Sequence, residues 1–286
     1  MARRTPMTTH IHHRKATRPG HLVRVGKRVK RFLWNLFSCA ELAFLYVPVV
    51  VLVVYSFNDN SIMRLPLEGF TLRWYISAFT NEEILAAIRN SLIVAFSATF
   101  LSVVIGVAAA MSIDRVHFPG KRVFNRIILL PIALPGIITG ITLLSFFRSL
   151  DMNMTLLTVI LGHTTALISI SVTQILASLQ RFNRRLEEAS ADLGARPLDT
   201  FFSVTLPNIK SAIIGSALMI FTLSFDEIPI TFFLTGRDNT LPMYMYSVMR
   251  RGITPELNAV GSVIIAVSFV LLFTSIYFLT RDKKHK

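Results

Sequence analysis

The sequence is poor in charged residues and in cysteine. Only 16% of its 286 residues are charged, against about a quarter in an ordinary soluble domain, whereas 52% are hydrophobic and the mean hydropathy is +0.56. A soluble protein could not hide so much apolar surface, and exposed apolar patches beyond a few hundred Å² promote association. The one cysteine, Cys39, excludes an internal disulfide framework and a cysteine-cluster metal site. These shortages exclude a typical soluble enzyme and indicate a membrane protein.

Lysine and arginine are absent from six long apolar stretches of the chain. A helix that crosses a bilayer needs about 20 mostly apolar residues, and each stretch is long enough. We therefore predict an all-α polytopic membrane protein with six transmembrane helices. The predicted spans are 37–57, 90–113, 127–147, 155–177, 212–235 and 258–280.

The basic residues outside these spans are unevenly distributed. Of the 30 Lys and Arg residues, 23 lie in segments 1–31, 114–126, 178–211 and 281–286, and 7 lie in the other three loops. Because Lys and Arg accumulate on the cytoplasmic side of inner-membrane proteins, both termini are predicted to be cytoplasmic.

The first 31 residues form a basic arm with four histidines and no acid. We interpret the arm as an unstructured topology anchor that contacts anionic membrane lipid; the alternatives are nucleic-acid binding and metal binding by its histidines. The remaining chain is assigned to a transmembrane domain, 32–282, and a short cytoplasmic tail, 283–286. No metal site and no nucleic-acid partner are expected.

The longest predicted cytoplasmic segment, between spans four and five, is expected to form two short helices. Residues 186–193 contain strong helix formers, and Gly194 is expected to end this first helix. Pro197 suits the first turn of the second helix, and Pro207 is expected to end it before span five. The first helix is predicted to have a polar face that carries the acids Glu187, Glu188 and Asp192. The second is predicted to bury an apolar face made of Phe201, Phe202, Val204 and Leu206. The segment either packs on its own membrane domain or docks a partner.

A motif in this segment resembles that of a known family. The run Glu188-Ala189-Ser190-x3-Gly194-x9-Val204-x-Leu206-Pro207 resembles the EAA loop, E-A-A-x3-G-x9-I-x-L-P, of binding-protein-dependent ABC importer permeases, with Ser190 and Val204 as conservative departures. The resemblance implies the transmembrane domain of a type I ABC importer in the bacterial inner membrane. It also implies that segment 181–207 is a coupling loop that contacts a separate ATPase. The residues assigned to this contact are Glu187, Glu188, Ala189, Asp192, Gly194, Ala195, Leu206 and Pro207.

The sequence has no phosphate-binding loop of the form G-x4-G-K-[ST]; the nearest fragment, Gly120-Lys121-Arg122, lacks the first glycine and the hydroxyl residue. The chain is therefore expected to be a transport subunit, with no cofactor of its own and no ATP hydrolysis. The resemblance implies that ATP and Mg are bound by a partner ATPase dimer. A second permease, predicted to be a different homologous chain, would supply half of the pore, and a periplasmic or extracellular solute-binding protein would deliver the solute.

Several other stretches resemble the second permease subunit of spermidine/putrescine-type importers. They are YVP at 46–48, YSFN at 55–58, GFTLRWY at 69–75 and FTLSFDE at 221–227. This resemblance implies polyamine uptake. The alternatives are the same machine for an amino-acid derivative, a phosphonate or iron(III), and a secondary transporter that needs no ATPase.

Two acids and two prolines are candidates for the substrate path. Asp226 and Glu227 are the only carboxylates deep within a predicted span, where ionisable groups are costly and normally face a cavity or a partner. They are interpreted either as a cation-attracting position on the pore wall or as a helix-end hydrogen bond, and Pro229 is expected to loosen that helix. Pro131 and Pro135 must bend or break span three, which is predicted to line the pore.

Other polar and aromatic residues are given simpler roles. His163, alone on an apolar helix, is predicted to be a packing histidine with satisfied hydrogen bonds. Aromatic and basic residues in the outside loops suit the membrane–water boundary, and by resemblance they surround the pore entrance where a binding protein docks; otherwise they cap the helix bundle. These are Trp74, Tyr75, Tyr244, Tyr246, Arg250 and Arg251.

Overall fold

The computed structural model describes residues 21–60, 67–252 and 254–282, with side chains for 30–60, 67–252 and 254–270. Within these residues the chain is helical and has no strand, only an isolated antiparallel bridge between Asn58 and Phe70. A π-helical turn, Phe201–Thr205, lies between the helices Pro197–Thr200 and Leu206–Phe225. The helices are α1 (His21–Tyr55), α2 (Arg73–Thr80), α3 (Glu82–Arg115), α4 (Lys121–Ile127), α5 (Leu130–Ala133), α6 (Gly136–Ser149), α7 (Leu156–Arg181), α8 (Arg185–Asp192), α9 (Pro197–Thr200), α10 (Leu206–Phe225), α11 (Pro229–Leu234), α12 (Leu241–Met249) and α13 (Pro255–Asp282).

The chain divides into two units, residues 1–54 and 55–286. Helix α1 accounts for the described part of the first unit, and its apolar side chains, such as Phe32, Phe44 and Leu45, are exposed. The helix begins at His21, so the last third of the basic arm is helical, although the arm is expected from sequence to be unstructured. Residues 1–20 of the arm and the tail 283–286 lie outside the described residues.

Four described helical segments are long and apolar enough to cross a membrane: Lys30–Tyr55, Glu82–Arg115, Leu156–Arg181 and Pro197–Phe225. They correspond to predicted spans one, two, four and five. Predicted span three is a pair of segments, Lys121–Ala133 and Gly136–Ser149, bent by 110° at Pro135. The bend expected from the two prolines is therefore confirmed. The sixth predicted span falls within α13, where the shorter apolar stretch Pro255–Val270 is described.

The bounds predicted for span five are wrong at both ends. The helix starts at Pro197 rather than at residue 212, because α9, the π-helical turn and α10 are continuous. It stops at Phe225, and α11 then begins as a separate helix at Pro229. Pro207 does not end the second short helix, since it lies in the first turn of α10, directly after the π-helical turn.

Helices α3, α7 and α10 form the centre of the second unit. Lipid provides no hydrophobic drive between helices, so membrane helices associate through close packing at small residues. Gly106 of α3 shows this packing, because a Cβ there would lie only 2.2 Å from Ser171 Oγ of α7. One buried cluster joins all three helices: Ala110, Ile113, Val172, Ile175, Leu179 and Ile209.

Candidate functional site

The two predicted carboxylates lie in the break between α10 and α11, not within a continuous helix. Asp226 follows the last residue of α10 and is exposed. The Glu227 carboxylate accepts a hydrogen bond from the Ile230 backbone N–H, with Oε1 3.0 Å from the nitrogen. Pro229 occupies the first turn of α11, so it starts a new helix and does not loosen an existing one. Glu227 therefore caps α11, while the Asp226 carboxylate faces outward.

The bend in span three meets this break. Pro131 lies in the first turn of α5 and Pro135 precedes the first residue of α6. A Cβ at Gly136 would lie 3.1 Å from Pro229 Cβ and 3.5 Å from Glu227 Oε1. A Cβ at Gly140 would lie 2.7 Å from the Phe233 ring. Two interrupted spans thus place their short helices, α6 and α11, side by side next to the acids.

His163 of α7 joins the two sides of the α10–α11 break. Its side chain is fully buried, with Nδ1 2.8 Å from Ser224 Oγ and Nε2 2.9 Å from Thr231 Oγ1. The Thr231 hydroxyl donates its proton to the Glu227 carbonyl oxygen at 3.0 Å. Nε2–H must therefore be the donor to Thr231, and the Ser224 hydroxyl donates to Nδ1 of a neutral imidazole. His163 is therefore buried with both ring nitrogens hydrogen-bonded, as predicted.

The break between α10 and α11 is better suited to the passage of a cationic solute than to a bound metal ion. Breaks in membrane helices line a solute path in many transporters, and an exposed carboxylate beside apolar helices needs water, a partner or a cationic solute next to it. In the described part of the chain, no group of three or more His, Cys, Asp or Glu side chains could hold a metal ion. Asp226 is the acid available for such a contact.

The coupling segment, residues 181–207, forms the first predicted short helix, α8, whereas the second, α9, runs on through the π-helical turn into α10 and is not a separate helix. Leu193 follows α8, and Gly194 has a φ of +83°, a left-handed conformation that favours glycine. Pro197 opens α9, as predicted, and the Arg196 backbone N–H donates to the Asp199 carboxylate. Gly194 therefore turns the chain between the two helices.

The acids of α8 do not share one face. Glu187 is partly buried and faces its own membrane domain, with Oε1 2.8 Å from Arg115 Nη2 and 2.5 Å from Thr205 Oγ1. Glu188 and Asp192 are exposed, as are Ala189, Gly194 and Pro207, while Ala195 and Leu206 are half-buried. Glu187 is therefore not on the exposed polar face of α8, which carries Glu188 and Asp192.

Exposed apolar side chains accompany these acids. Leu193 is 89% exposed, and Leu198 and Phe202 are also largely exposed. The prediction that Phe202 is buried is wrong. The segment presents both acidic and apolar side chains outward, which is the composition of a docking surface.

The aromatic residues of the outside loops are mostly engaged within the chain. Trp74 Nε1 donates to the Asn58 carbonyl oxygen at 2.8 Å, and the Tyr75 and Ser56 hydroxyls lie 2.6 Å apart. The Tyr244 side chain is buried. Burial, together with the negative charges of Glu256 and Glu83, raises the pKa of Tyr244.

Because its side chain is buried, Tyr244 has a packing role and offers little surface to a docking protein. Tyr246 is half-buried, with the Arg250 guanidinium 6.0 Å from its ring centroid. Arg250 and Arg251 are exposed. Among the six predicted contact residues, the two arginines are therefore the most accessible.

Comparison with known proteins identifies the family. The family model for the inner membrane component of binding-protein-dependent transport systems matches residues 102–282. The chain belongs to this family. It is 35% identical over 251 residues to the putrescine transport system permease protein PotI of Escherichia coli (strain K12), covering 85% of this chain and 89% of that protein. It is 30% identical to the spermidine/putrescine transport system permease protein PotC of Haemophilus influenzae, covering 89% of this chain and 98% of that one.

Solved structures confirm the fold of this permease as that of an ABC importer membrane component. A bacterial ABC transporter involved in the import of the acidic polysaccharide alginate matches with a TM-score of 0.66 at 17% identity, covering 90% of this chain and 98% of that chain. The MetNI methionine ABC transporter matches with a TM-score of 0.57 at 17% identity, covering 69% and 94%. The permease is a multi-pass inner-membrane protein.

Sequence reasoning missed the contacts that hold the coupling segment to the rest of the permease. Arg115 is recognisable as the charged residue that ends an apolar helix, yet it pairs with Glu187, 72 positions away. Thr205 and Asp114 carry no motif at all. Only the folded chain brings these residues together.

Proposed function

We propose that this permease forms half of the pore of an ATP-driven polyamine importer and transmits the conformational work of a separate ATPase to that pore. The observation that carries the proposal is the outward-facing coupling segment, in which Glu188, Asp192 and Leu193 are exposed around the left-handed Gly194. The family match supports the same role.

Each proposed partner would meet a different part of the permease. An ATPase dimer that binds ATP and Mg would receive α8, a second homologous permease would complete the pore, and a solute-binding protein would dock near Arg250 and Arg251. The uneven distribution of Lys and Arg supports cytoplasmic termini and a coupling segment on the cytoplasmic side.

Polyamines are the proposed solute class because two observations favour a cation. PotI and PotC, which are named for putrescine and spermidine transport, match most of the chain. The exposed Asp226 carboxylate lies where two broken spans meet and can attract an ammonium group. A carboxylate is unsuited to an anionic solute, since like charges repel.

The test is ATP hydrolysis and uptake by the purified complex in proteoliposomes, with putrescine-loaded, spermidine-loaded or empty binding protein. We expect polyamine-dependent stimulation of ATP hydrolysis and polyamine uptake. Glu188→Ala is expected to abolish both, and Asp226→Asn to lower uptake while the ATPase still co-purifies.

Three results would count against parts of the proposal. Stimulation only by a phosphonate or another anion would discard the polyamine. Uptake without a co-purifying ATPase would discard the importer in favour of a secondary transporter. Normal activity of Glu188→Ala would remove the coupling role of α8.

A further inference from the structure

A compact ion-pair cluster joins the end of α3 to the coupling segment. Arg115, the last residue of α3, forms ion pairs with two different acids: Nη2 donates to Glu187 Oε1 at 2.8 Å, whereas Nη1 lies 3.0 Å from Asp114 Oδ2 without a hydrogen bond to it. Arg184 Nη2 lies 3.0 Å from the same Asp114 oxygen. The Thr205 hydroxyl donates to Glu187 at 2.5 Å. The cluster therefore ties together α3, α8 and the π-helical turn that precedes α10.

The central members of this cluster are withdrawn from water. The side chains of Asp114, Arg115 and Glu187 are 6%, 19% and 21% exposed, whereas Arg184 is 54% exposed. Shielded ion pairs are weakened little by salt, and removal of one partner leaves the other as an uncompensated charge. Arg115 thus holds two acids that would otherwise repel.

Helix α8 depends on these polar contacts for its position. It has no buried residue, and it is joined to its neighbours by the short links Phe182–Arg184 and Leu193–Arg196. Its described side-chain bonds to other elements are the Glu187 contacts and the Ser190 hydroxyl at 3.0 Å from that of Thr200. Without the Arg115 contact, the described polar bonds from this region to α3 are those of Arg184, which reaches the Asp114 carbonyl and carboxylate oxygens from the link before α8, so α8 itself is held less firmly against α3.

Helix α3 is well placed to carry such a force. It extends over 34 residues, about 50 Å at 1.5 Å per residue, and it packs along both α7 and α10. The buried cluster that includes Ala110 and Ile113 lies within two turns of Arg115. Motion delivered at Arg115 therefore reaches the centre of the membrane domain.

We propose that Arg115 is a positioning residue that clamps α8 to α3 through Glu187, so that α8, α3 and α10 move as one body when the ATPase acts on the coupling segment. This inference rests on the proposed function. It assigns opposite tasks to the two adjacent acids of α8: Glu187 faces inward to the clamp, and Glu188 faces the partner.

The first experiment compares Arg115→Gln and Glu187→Gln with the wild-type complex. Arg122→Gln is the matched control, because it removes one exposed positive charge from the neighbouring helix α4. For both clamp variants we expect the ATPase to co-purify and hydrolyse ATP at near the wild-type rate, while uptake per ATP falls about tenfold, as for other residues that carry coupling. Arg122→Gln is expected to match the wild type.

A second experiment replaces the clamp with a covalent link. In a Cys39→Ser background, Arg115→Cys/Glu187→Cys is treated with a bifunctional methanethiosulfonate, which joins the two thiols through disulfides and releases sulfinate, and then with a reductant that cleaves those disulfides. The reduced protein is expected to be uncoupled, and the linked protein to recover uptake per ATP, because a positioning role needs the connection and not the charges. If linking instead stops transport, α8 and α3 must separate during the cycle and the proposal is overturned.

Amide hydrogen exchange of α8 separates this proposal from the proposed function. In the purified complex, exchange across residues 185–192 should be about tenfold faster in Arg115→Gln than in Arg122→Gln, since loosened elements open more often. Unchanged exchange overturns the clamp whatever the complex transports. If exchange is faster in Arg115→Gln but uptake by the wild type does not depend on the ATPase, the clamp stands and the importer role is removed.

Discussion

Replacing His163 with leucine is expected to destabilise the permease by about 1–3 kcal/mol. The leucine side chain fills a similar volume in this fully buried position, so the main loss is the pair of hydrogen bonds to Ser224 and Thr231. Interhelical hydrogen bonds in membrane proteins contribute about 0.6 kcal/mol on average and about 1.7 at most. Two of them account for the expected range.

The two hydroxyls do not lose equally. Thr231 keeps its bond to the Glu227 carbonyl oxygen, whereas Ser224 has to turn to a carbonyl of its own helix, a weaker arrangement that bends helices. The damage is therefore expected at the end of α10, next to Asp226. Solute uptake should fall along with stability.

Thermal unfolding of the purified complex measures the effect. At about 2–4 °C per kcal/mol, Tm of His163→Leu should lie roughly 2–12 °C below that of the wild type. Thr165→Val is the control, because Thr165 is exposed on the same helix and its hydroxyl bonds only to Leu161 of α7 among the described contacts. An unchanged Tm with lost uptake would refute the packing role and indicate a proton relay.

Three further substitutions test the broken spans and the coupling turn. Glu227→Ala should lower stability by about 1 kcal/mol through loss of the α11 cap, whereas Glu227→Gln keeps an acceptor for Ile230; equal Tm values would contradict this. Gly140→Val should cost about 1–3 kcal/mol by overpacking and reduce uptake in proteoliposomes, because its Cβ meets Phe233. Gly194→Val should cost about 1–2 kcal/mol of backbone strain and reduce ATPase co-purification, although no atom lies within 4 Å of a Cβ at this position. Normal co-purification would show that the turn does not need a left-handed residue.

Local signals predicted the elements that local physics decides. The spans follow from apolar length, the bend in span three follows from Pro131 and Pro135, and the turn after α8 follows from Gly194. At the two prolines and at Gly194 the residue itself forces the conformation, through missing N–H groups or a positive φ. The EAA-type spacing depends on the same turn.

Composition alone does not locate the break in span five, although Pro229 indicates a weakened helix there. After Glu227 the stretch is again mostly apolar to residue 235, so it extends the hydropathy signal of α10 beyond the two acids. What ends α10 is tertiary: α11 packs against α6 at Gly136 and Gly140, and His163 holds the ends of both helices. The inward orientation of Glu187 is likewise set by Arg115, from a distant part of the chain.

Paired acids with different environments occur both in the coupling segment and at the break between α10 and α11. Glu187 and Glu188 are neighbours on α8, and successive residues of a helix point about 100° apart, so one carboxylate reaches Arg115 while the other is exposed. At the break between α10 and α11, Glu227 is held by a backbone N–H and Asp226 is exposed. A single acid at either place would have to serve both the fold and a partner. Paired acids let one carboxylate fix the local structure and leave the other free to bind, which is why the two members of each pair should respond differently to substitution.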